Sequence, residues 1–146
     1  MMKTILCDID GTIANTSHRI HHLEKTPKDW KSWHENSHKD EPIWEVVIIL
    51  EWASKEDVKI VLCTAREEQF RNDTVQWLNE HNIKYDALYM RKTKDRRNDD
   101  IVKLELLDEI LKEGYEILFV LEDRSKVTKM WRSAGLRCLQ VSEGDF

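Results

Sequence analysis

Two carboxylates stand two residues apart in Asp8-Ile9-Asp10-Gly11-Thr12, directly after the apolar run 3–7. A short apolar run closed by a turn signal reads as a buried strand, so both acids lie at or just past a strand's end. In open α/β sheets that carboxyl edge is where ligands bind. Gly11 lets the backbone turn away sharply. Three later stretches carry polar groups at comparable places: Thr64 and Arg66 after the run 58–63, Asp99 and Lys103 at the start of a helical pattern, and Glu122 and Asp123 after the run 116–121. If these stretches share one edge, their carboxylates repel unless a cation sits among them. Magnesium suits such a set, because it takes oxygen ligands from a few carboxylates and keeps other positions for water and phosphate. Lys103 and Arg66 then neutralise a bound phosphoryl group. A calcium loop opening at Asp8 is excluded: its sixth and twelfth positions require Gly and Glu, and here they hold Ile13 and Arg19.

The elements that must position these residues alternate. Strands are predicted at 3–7, 58–63, 85–90, 116–121 and 136–141. Helices are predicted from Pro42, from after Arg66 to about His81 with Phe70, Trp77 and Leu78 inward, over 100–112, and around Val127, Met130, Trp131 and Ala134. This alternation implies a parallel sheet of about five strands covered on both faces, a three-layer Rossmann-like α/β fold. Residues 15–41 are too long for a connection and too polar for a core element, so they are expected to form a small flap or cap inserted after the first strand of a single domain, 1–146. Within it, His18, His21 and His22 have helical spacing, but no cysteine or paired carboxylate completes a zinc set. Trp30 and Trp33 are expected to form the flap's own small core; the alternative is a platform for a nucleobase.

A chain of 146 residues suits one domain with a real core, and its 40% hydrophobic and 35% charged residues exclude a disordered chain. The net charge of −5 argues against a broad surface coating nucleic acid, while leaving room for a small basic site such as loop 91–97. No run approaches a membrane span, and no signal-peptide pattern opens the chain. Three cysteines, Cys7, Cys63 and Cys138, are expected to be reduced, buried strand thiols of a cytoplasmic protein.

The set Asp8-Ile9-Asp10-Gly11-Thr12, Thr64, Lys103 and Glu122-Asp123 resembles the four motifs of the haloacid dehalogenase (HAD) superfamily of phosphotransferases. Within it, the 3′-phosphatase domain of phage-type polynucleotide kinase-phosphatases is similar over nearly the whole chain. The likeness takes in Arg19, Thr64-Ala65-Arg66, Asp99-Asp100-Ile101-Val102-Lys103, Met130-Trp131-Arg132, Gln140-Val141 and Gly144-Asp145-Phe146. The resemblance implies an aspartyl-phosphate enzyme that removes 3′-phosphates from DNA or RNA ends. Asp8 is then the nucleophile and Asp10 the acid and base. Thr64 and Lys103 bind and balance the phosphoryl group, and Arg19 and Arg66 bind the substrate's phosphoryl end. Magnesium is held by Asp8, Asp123 and the backbone carbonyl of Asp10, while Asp99 and Glu122 orient Lys103 and metal-bound waters. Glu122-Asp123 departs from the family's usual Asp-Asp pair. No G-x-x-x-x-G-K-S/T loop occurs, so the sequence is expected to work without a kinase half.

Two other functions fit the same residues. A phosphatase for free nucleotides or another small phosphomonoester shares every catalytic residue. A receiver-like signalling module also uses an acidic cluster, a Thr and a Lys, but an acid/base at Asp10 favours turnover over storage of phosphate.

Overall fold

The computed structural model describes residues 1–146. The chain runs β1 (Met2–Cys7), β2 (Ala14–Asn15), α1 (Trp30–Glu35), β3 (Glu41–Pro42), α2 (Trp44–Lys55), β4 (Lys59–Glu67), α3 (Arg71–Glu80), β5 (Ala87–Arg91), α4 (Asp99–Lys112), β6 (Tyr115–Glu122), α5 (Ser125–Ser133) and β7 (Cys138–Gln140), with 3₁₀ turns at Ser17–Leu23, Ser37–Lys39 and Glu68–Phe70. The five long-range strands form one sheet in the order β5-β4-β1-β6-β7, and every pairing is parallel. Alternation along the strands builds two cores. Ile5, Cys7, Ile60 and Leu62 face Val47, Leu50, Trp77 and Leu78 of α2 and α3. Leu6, Val61 and Cys63 face Val102, Leu106, Ile110, Val127 and Trp131 of α4 and α5. A strand buried on both faces reads as a continuous apolar run, which is why these segments stood out in the sequence.

β1 lies at the centre of the sheet, so the residues after Cys7 emerge in the middle of its carboxyl edge. The chain then winds through one tight turn, in which the amides of Thr12, Ile13 and Ala14 all donate to the carbonyl of Ile9. Gly11 makes this turn at φ +80°, a backbone region that favours glycine. β2 and β3 pair antiparallel, Ala14 with Pro42 and Asn15 with Glu41, so residues 16–40 leave and return through one neck.

The structure differs from the expected elements at four places. Pro42 lies in β3 rather than opening a helix, and α2 begins at Trp44, where the amides of Val46 and Val47 donate to the carbonyl of Ile43. β4 continues through Arg66 to Glu67, and α3 starts only at Arg71. Phe70 therefore sits in a 3₁₀ turn and stacks on His34 at 4.1 Å between ring centroids, not on the inner face of a helix. Trp30 and Trp33 part company: Trp33 is buried beneath Arg19, whereas Trp30 is half exposed. Lastly, β7 pairs over three residues rather than six. No helix is long and apolar enough to cross a membrane.

Candidate active site

The ends of β1, β4 and β6 and the first turns of α4 bring the singled-out residues to one edge of the sheet, in two groups of opposite electrostatic character. The first is centred on Asp8. Lys103, on α4, donates to Asp8 Oδ1 at 2.8 Å and to Glu122 Oε2 at 2.9 Å. Thr12 Oγ donates to Asp8 Oδ2 at 3.0 Å and lies 3.3 Å from Asp123 Oδ1. All of these side chains are buried. Burial pushes the Asp8 carboxyl up to about 7, with Glu122 adding to the rise and Lys103 opposing it. Burial followed by the charge of Asp8 pushes Asp123 up to about 7 as well. Lys103 is driven well above its ordinary value, because the two acids outweigh the cost of burying its ammonium. Glu122, the longer residue of the acidic pair, is tied down by Lys103 and by the Trp131 indole N–H at 3.3 Å.

One oxygen from each of Asp8, Glu122 and Asp123 lies within 4.8 Å of the others. Lys103 serves Asp8 and Glu122, which leaves Asp123 with only a hydroxyl donor beside a like charge. Buried carboxylates so under-compensated, with only oxygen donors between them, fit a hard divalent cation. Gly11 is part of this fit: a Cβ there would lie 2.1 Å from Asp123 Oδ2.

This charge balance sets a pH dependence. Folded Asp8 and Asp123 hold their protons more tightly than unfolded ones do, so their contribution to stability is full below about pH 4 and lost as pH rises through about 7. Asp10 has the opposite shift, but its contribution is lost only in strong acid. In chelator, the melting temperature should therefore fall by roughly 5 °C or more between pH 5.5 and pH 8. Added Mg²⁺ should restore it at pH 8 and change it little at pH 5.5. Thermal unfolding at the two pH values, with and without the cation, checks this.

The second group is centred on Asp10. Arg66 donates to both Asp10 oxygens, at 3.0 and 2.6 Å, and Arg19 donates to Oδ1 at 2.7 Å. Burial works to raise this carboxyl, but the two guanidinium groups outweigh it and hold Asp10 far below the usual carboxylate range. Arg19 is itself clamped: it makes two hydrogen bonds to Asp40 at 2.8 and 2.7 Å, donates to the Trp33 carbonyl, and lies 3.9 Å above the Trp33 ring. Asp40 is fully buried and also meets His18 at 2.7 Å.

The other singled-out residues have the following contacts. Arg19 is 1% exposed, and its donors point at Asp10, Asp40 and a carbonyl rather than at open space. In this arrangement it holds Asp10. Arg66 is likewise engaged by Asp10 and by Thr74. Asp99 does not reach Lys103; it binds Arg91 at 2.5 Å and Arg124 at 2.7 Å, pinning the start of α4. The side chain of Asp10 faces the arginines, so only its backbone remains for a cation. Thr64 is buried at the end of β4, where its hydroxyl accepts from the Arg66 amide. His18 is engaged by Asp40, and the grouping suited to a metal lies elsewhere. The three thiols are free and buried, and burial raises each of them, Cys63 to about 12, which is the setting of inert structural thiols. Asp40 was not singled out from the sequence, and the contacts that Arg91, Arg124 and Trp131 make to Asp99 and Glu122 were not read there either. Thr12 lay inside the quoted motif, but its bridging contact to Asp123 spans 111 positions.

Residues 2–146 match the family described as the polynucleotide kinase PNKP phosphatase domain. A solved chain from a Pnkp1/Rnl/Hen1 complex is 34% identical with a TM-score of 0.86, over 100% of this chain and 48% of that one. A protein of Autographa californica nuclear polyhedrosis virus, whose name couples polynucleotide kinase with RNA ligase, is 26% identical over 132 residues, 89% of this chain and 18% of its own length. This chain thus spans about half of the solved relative and under a fifth of the viral one. The class C acid phosphatase from Bacillus anthracis shares the fold at 14% identity, with a TM-score of 0.72 over 99% of this chain and 68% of that one. A parallel sheet whose carboxyl edge gathers Asp8, Asp10, Lys103 and Asp123, and a family match across all but the first residue, lead to one conclusion: the chain belongs to the polynucleotide kinase PNKP phosphatase-domain family of HAD-type phosphatases.

Proposed function

We propose that this phosphatase removes 3′-phosphates from DNA or RNA ends, with magnesium as its cation and Asp8 as its nucleophile. The observation that carries the reading is the opposite setting of two carboxylates two residues apart. Asp8 lies beside Lys103 and the acidic cluster, whereas Asp10 is held by two arginines. Asp8 Oδ1 or Oδ2 attacks phosphorus in line, forms an aspartyl-phosphate and releases the nucleotide's 3′-oxygen, so that one hard displacement becomes two easier ones. Lys103 stays beside Asp8 through both steps and balances the phosphoryl charge, with Thr64 as a hydroxyl donor. A magnesium ion held by Asp8, Asp123 and the Asp10 carbonyl would supply Lewis-acid polarisation of the phosphoryl oxygens.

Asp10 as found is an ionised acceptor, suited to taking a proton from the water that hydrolyses the aspartyl-phosphate. A phosphoryl group entering beside it competes for Arg66, and each donor drawn away raises the affinity of Asp10 for the proton the leaving oxygen needs. Arg19, clamped by Asp40, keeps the carboxylate in place meanwhile. Asp10→Asn should slow turnover by the ~10²–10⁴-fold of a lost acid/base. The nucleic-acid substrate is supported by the family match. The product, a 3′-hydroxyl end, is the form that a ligase-type reaction consumes.

The nucleotidase reading has one observation in its favour, a cavity of 580 Å³ reaching Gly11 and Asp123 and large enough for a single nucleotide. Initial rates of phosphate release from 3′-phosphorylated oligomers, 5′-phosphorylated oligomers and both kinds of mononucleotide separate the two. The 3′-phosphorylated oligomer should be cleaved fastest, and only with magnesium. Cleavage of 5′-mononucleotides with the oligomer ignored would move the function to the nucleotidase, and full activity in excess chelator would remove the metal.

A further inference from the structure

Three rings form a ladder beside Asp10. Trp30 and His34 stand four residues apart on the same face of α1. Phe70 stacks on His34 at 4.1 Å and 17° between planes, and Trp30 follows His34 at 6.3 Å and 26°. The inner rung is tied to the site: the Phe70 carbonyl accepts from Thr74 Oγ, and the same hydroxyl accepts from Arg66, which holds Asp10. Burial lowers the proton affinity of His34, and the charges of Asp10 and Arg66 both reach its ring. The outer rung is half exposed, with the Lys28 ammonium over the Trp30 ring at 5.7 Å from its centroid.

Exposed cations stand beside the ladder, while Glu68 near Phe70 is paired with Arg71. The turn that carries Phe70 is joined to loop 91–97: the Gln69 amide donates to Thr93 Oγ at 3.1 Å, and the Lys94 amide donates to Glu67 at 3.3 Å. In that loop Arg91 is buried and organises the backbone through the carbonyls of Ala65, Asp95 and Arg97, while Arg97 is paired with Asp95 and Glu105. Lys92, Lys94 and Arg96 are left exposed. The 580 Å³ cavity that reaches Gly11 and Asp123 has no Lys or Arg in its lining and carries Glu45, Asp123 and Glu143. The exposed cations lie along the ladder rather than in this cavity. Aromatic faces flanked by cations are the chemistry that holds single-stranded nucleic acid, since every base has a face to stack.

We infer that the Phe70–His34–Trp30 ladder is a stacking platform, and that a base of the single-stranded 3′ end forms its next rung on Trp30. The inference rests on the polynucleotide reading above and makes Trp30 a substrate-binding residue away from the reacting atoms. Removing one base-stacking ring costs roughly tenfold or more in binding. Trp30→Ala should therefore raise KM on a short 3′-phosphorylated oligomer by about that factor and leave kcat in place. Trp30→Phe should recover most of the loss. The salt dependence of KM should stay as in the wild type, because no phosphate contact is lost.

The test scans an abasic residue through the last three positions of the oligomer, with wild type and Trp30→Ala, and uses glycerol 2-phosphate as a base-free control. The inference expects one abasic position to bring the wild type to the level of Trp30→Ala, with no further loss when the two changes are combined. It is overturned if Trp30→Ala handles the intact oligomer as well as wild type does, if it loses the same factor on glycerol 2-phosphate, or if no abasic position reproduces its defect. Each of those outcomes leaves the 3′-phosphatase reading standing. A wild type that ignores 3′-phosphorylated oligomers removes that reading, and the platform with it.

Discussion

Asp8→Asn should abolish turnover, by on the order of 10⁴–10⁶-fold as for other covalent nucleophiles, and should leave the protein folded and at least as stable as wild type near pH 8. The two halves of this expectation come from the same contacts. The amide cannot form the aspartyl-phosphate, so the first step is lost. As a neutral group it sheds the burial penalty and the repulsion from Glu122 that push the native carboxyl up to about 7. Thr12 Oγ can still donate to the amide oxygen, and Lys103 keeps Glu122. Phosphate release with the metal present, set beside a denaturant midpoint at pH 8, checks both halves. An inactive variant that is also strongly destabilised would mean that Asp8 serves the fold rather than the chemistry.

Lys103→Met should be damaging on both counts. Lys103 is 2% exposed and is the cation shared by Asp8 and Glu122. Its removal leaves two buried acids facing one another, and breaking such a pair from one side costs about 3–5 kcal/mol, a large part of the roughly 5–15 kcal/mol that holds a domain folded. The loss should shrink toward pH 5, where the stranded carboxyls can take protons. The double variant Lys103→Met/Glu122→Gln should regain part of the stability and none of the activity, because the phosphoryl charge is still unbalanced. Equilibrium unfolding at pH 5.5 and 8, with rates on the folded fraction, reads each term. A Lys103→Met protein as stable as wild type at pH 8 would contradict the charge balance described for the site.

The parts of this arrangement that were legible in the sequence are those written locally. The apolar runs of β1, β4 and β6 announce strands whose carboxyl-terminal halves are buried, and polar residues directly after them fall on the carboxyl edge. Asp8, Asp10, Thr64, Glu122 and Asp123 are found this way, and Lys103 by its place at the start of a helical pattern beside them. Asp40 left no such trace. It is a single acid in a polar stretch, and its role exists only because the chain returns through β3 and sets it between Arg19 and Arg66. Without it, Arg19 reads as a cation free to meet phosphate. Asp99 differs for a related reason: the resemblance gave it Lys103 to orient, but Arg91, at the end of β5, and Arg124, just before α5, claim both of its oxygens. Trp30 and Trp33 share a spacing that predicts a common face, yet the short α1 puts one under a guanidinium and leaves the other open. Local spacing thus located the groups that do chemistry, and tertiary pairing decided which of the others hold them.

The most direct test of the central claim is to trap the covalent state. Wild-type enzyme is mixed with an oligonucleotide bearing a radiolabelled 3′-phosphate in the presence of magnesium, quenched in acid over a millisecond series, and digested. The expected result is label on the peptide that contains Asp8, discharged by hydroxylamine and absent when Asp8→Asn is used. Label on a different residue, or phosphate release by Asp8→Asn at a rate near wild type with no label at any quench time, would contradict it.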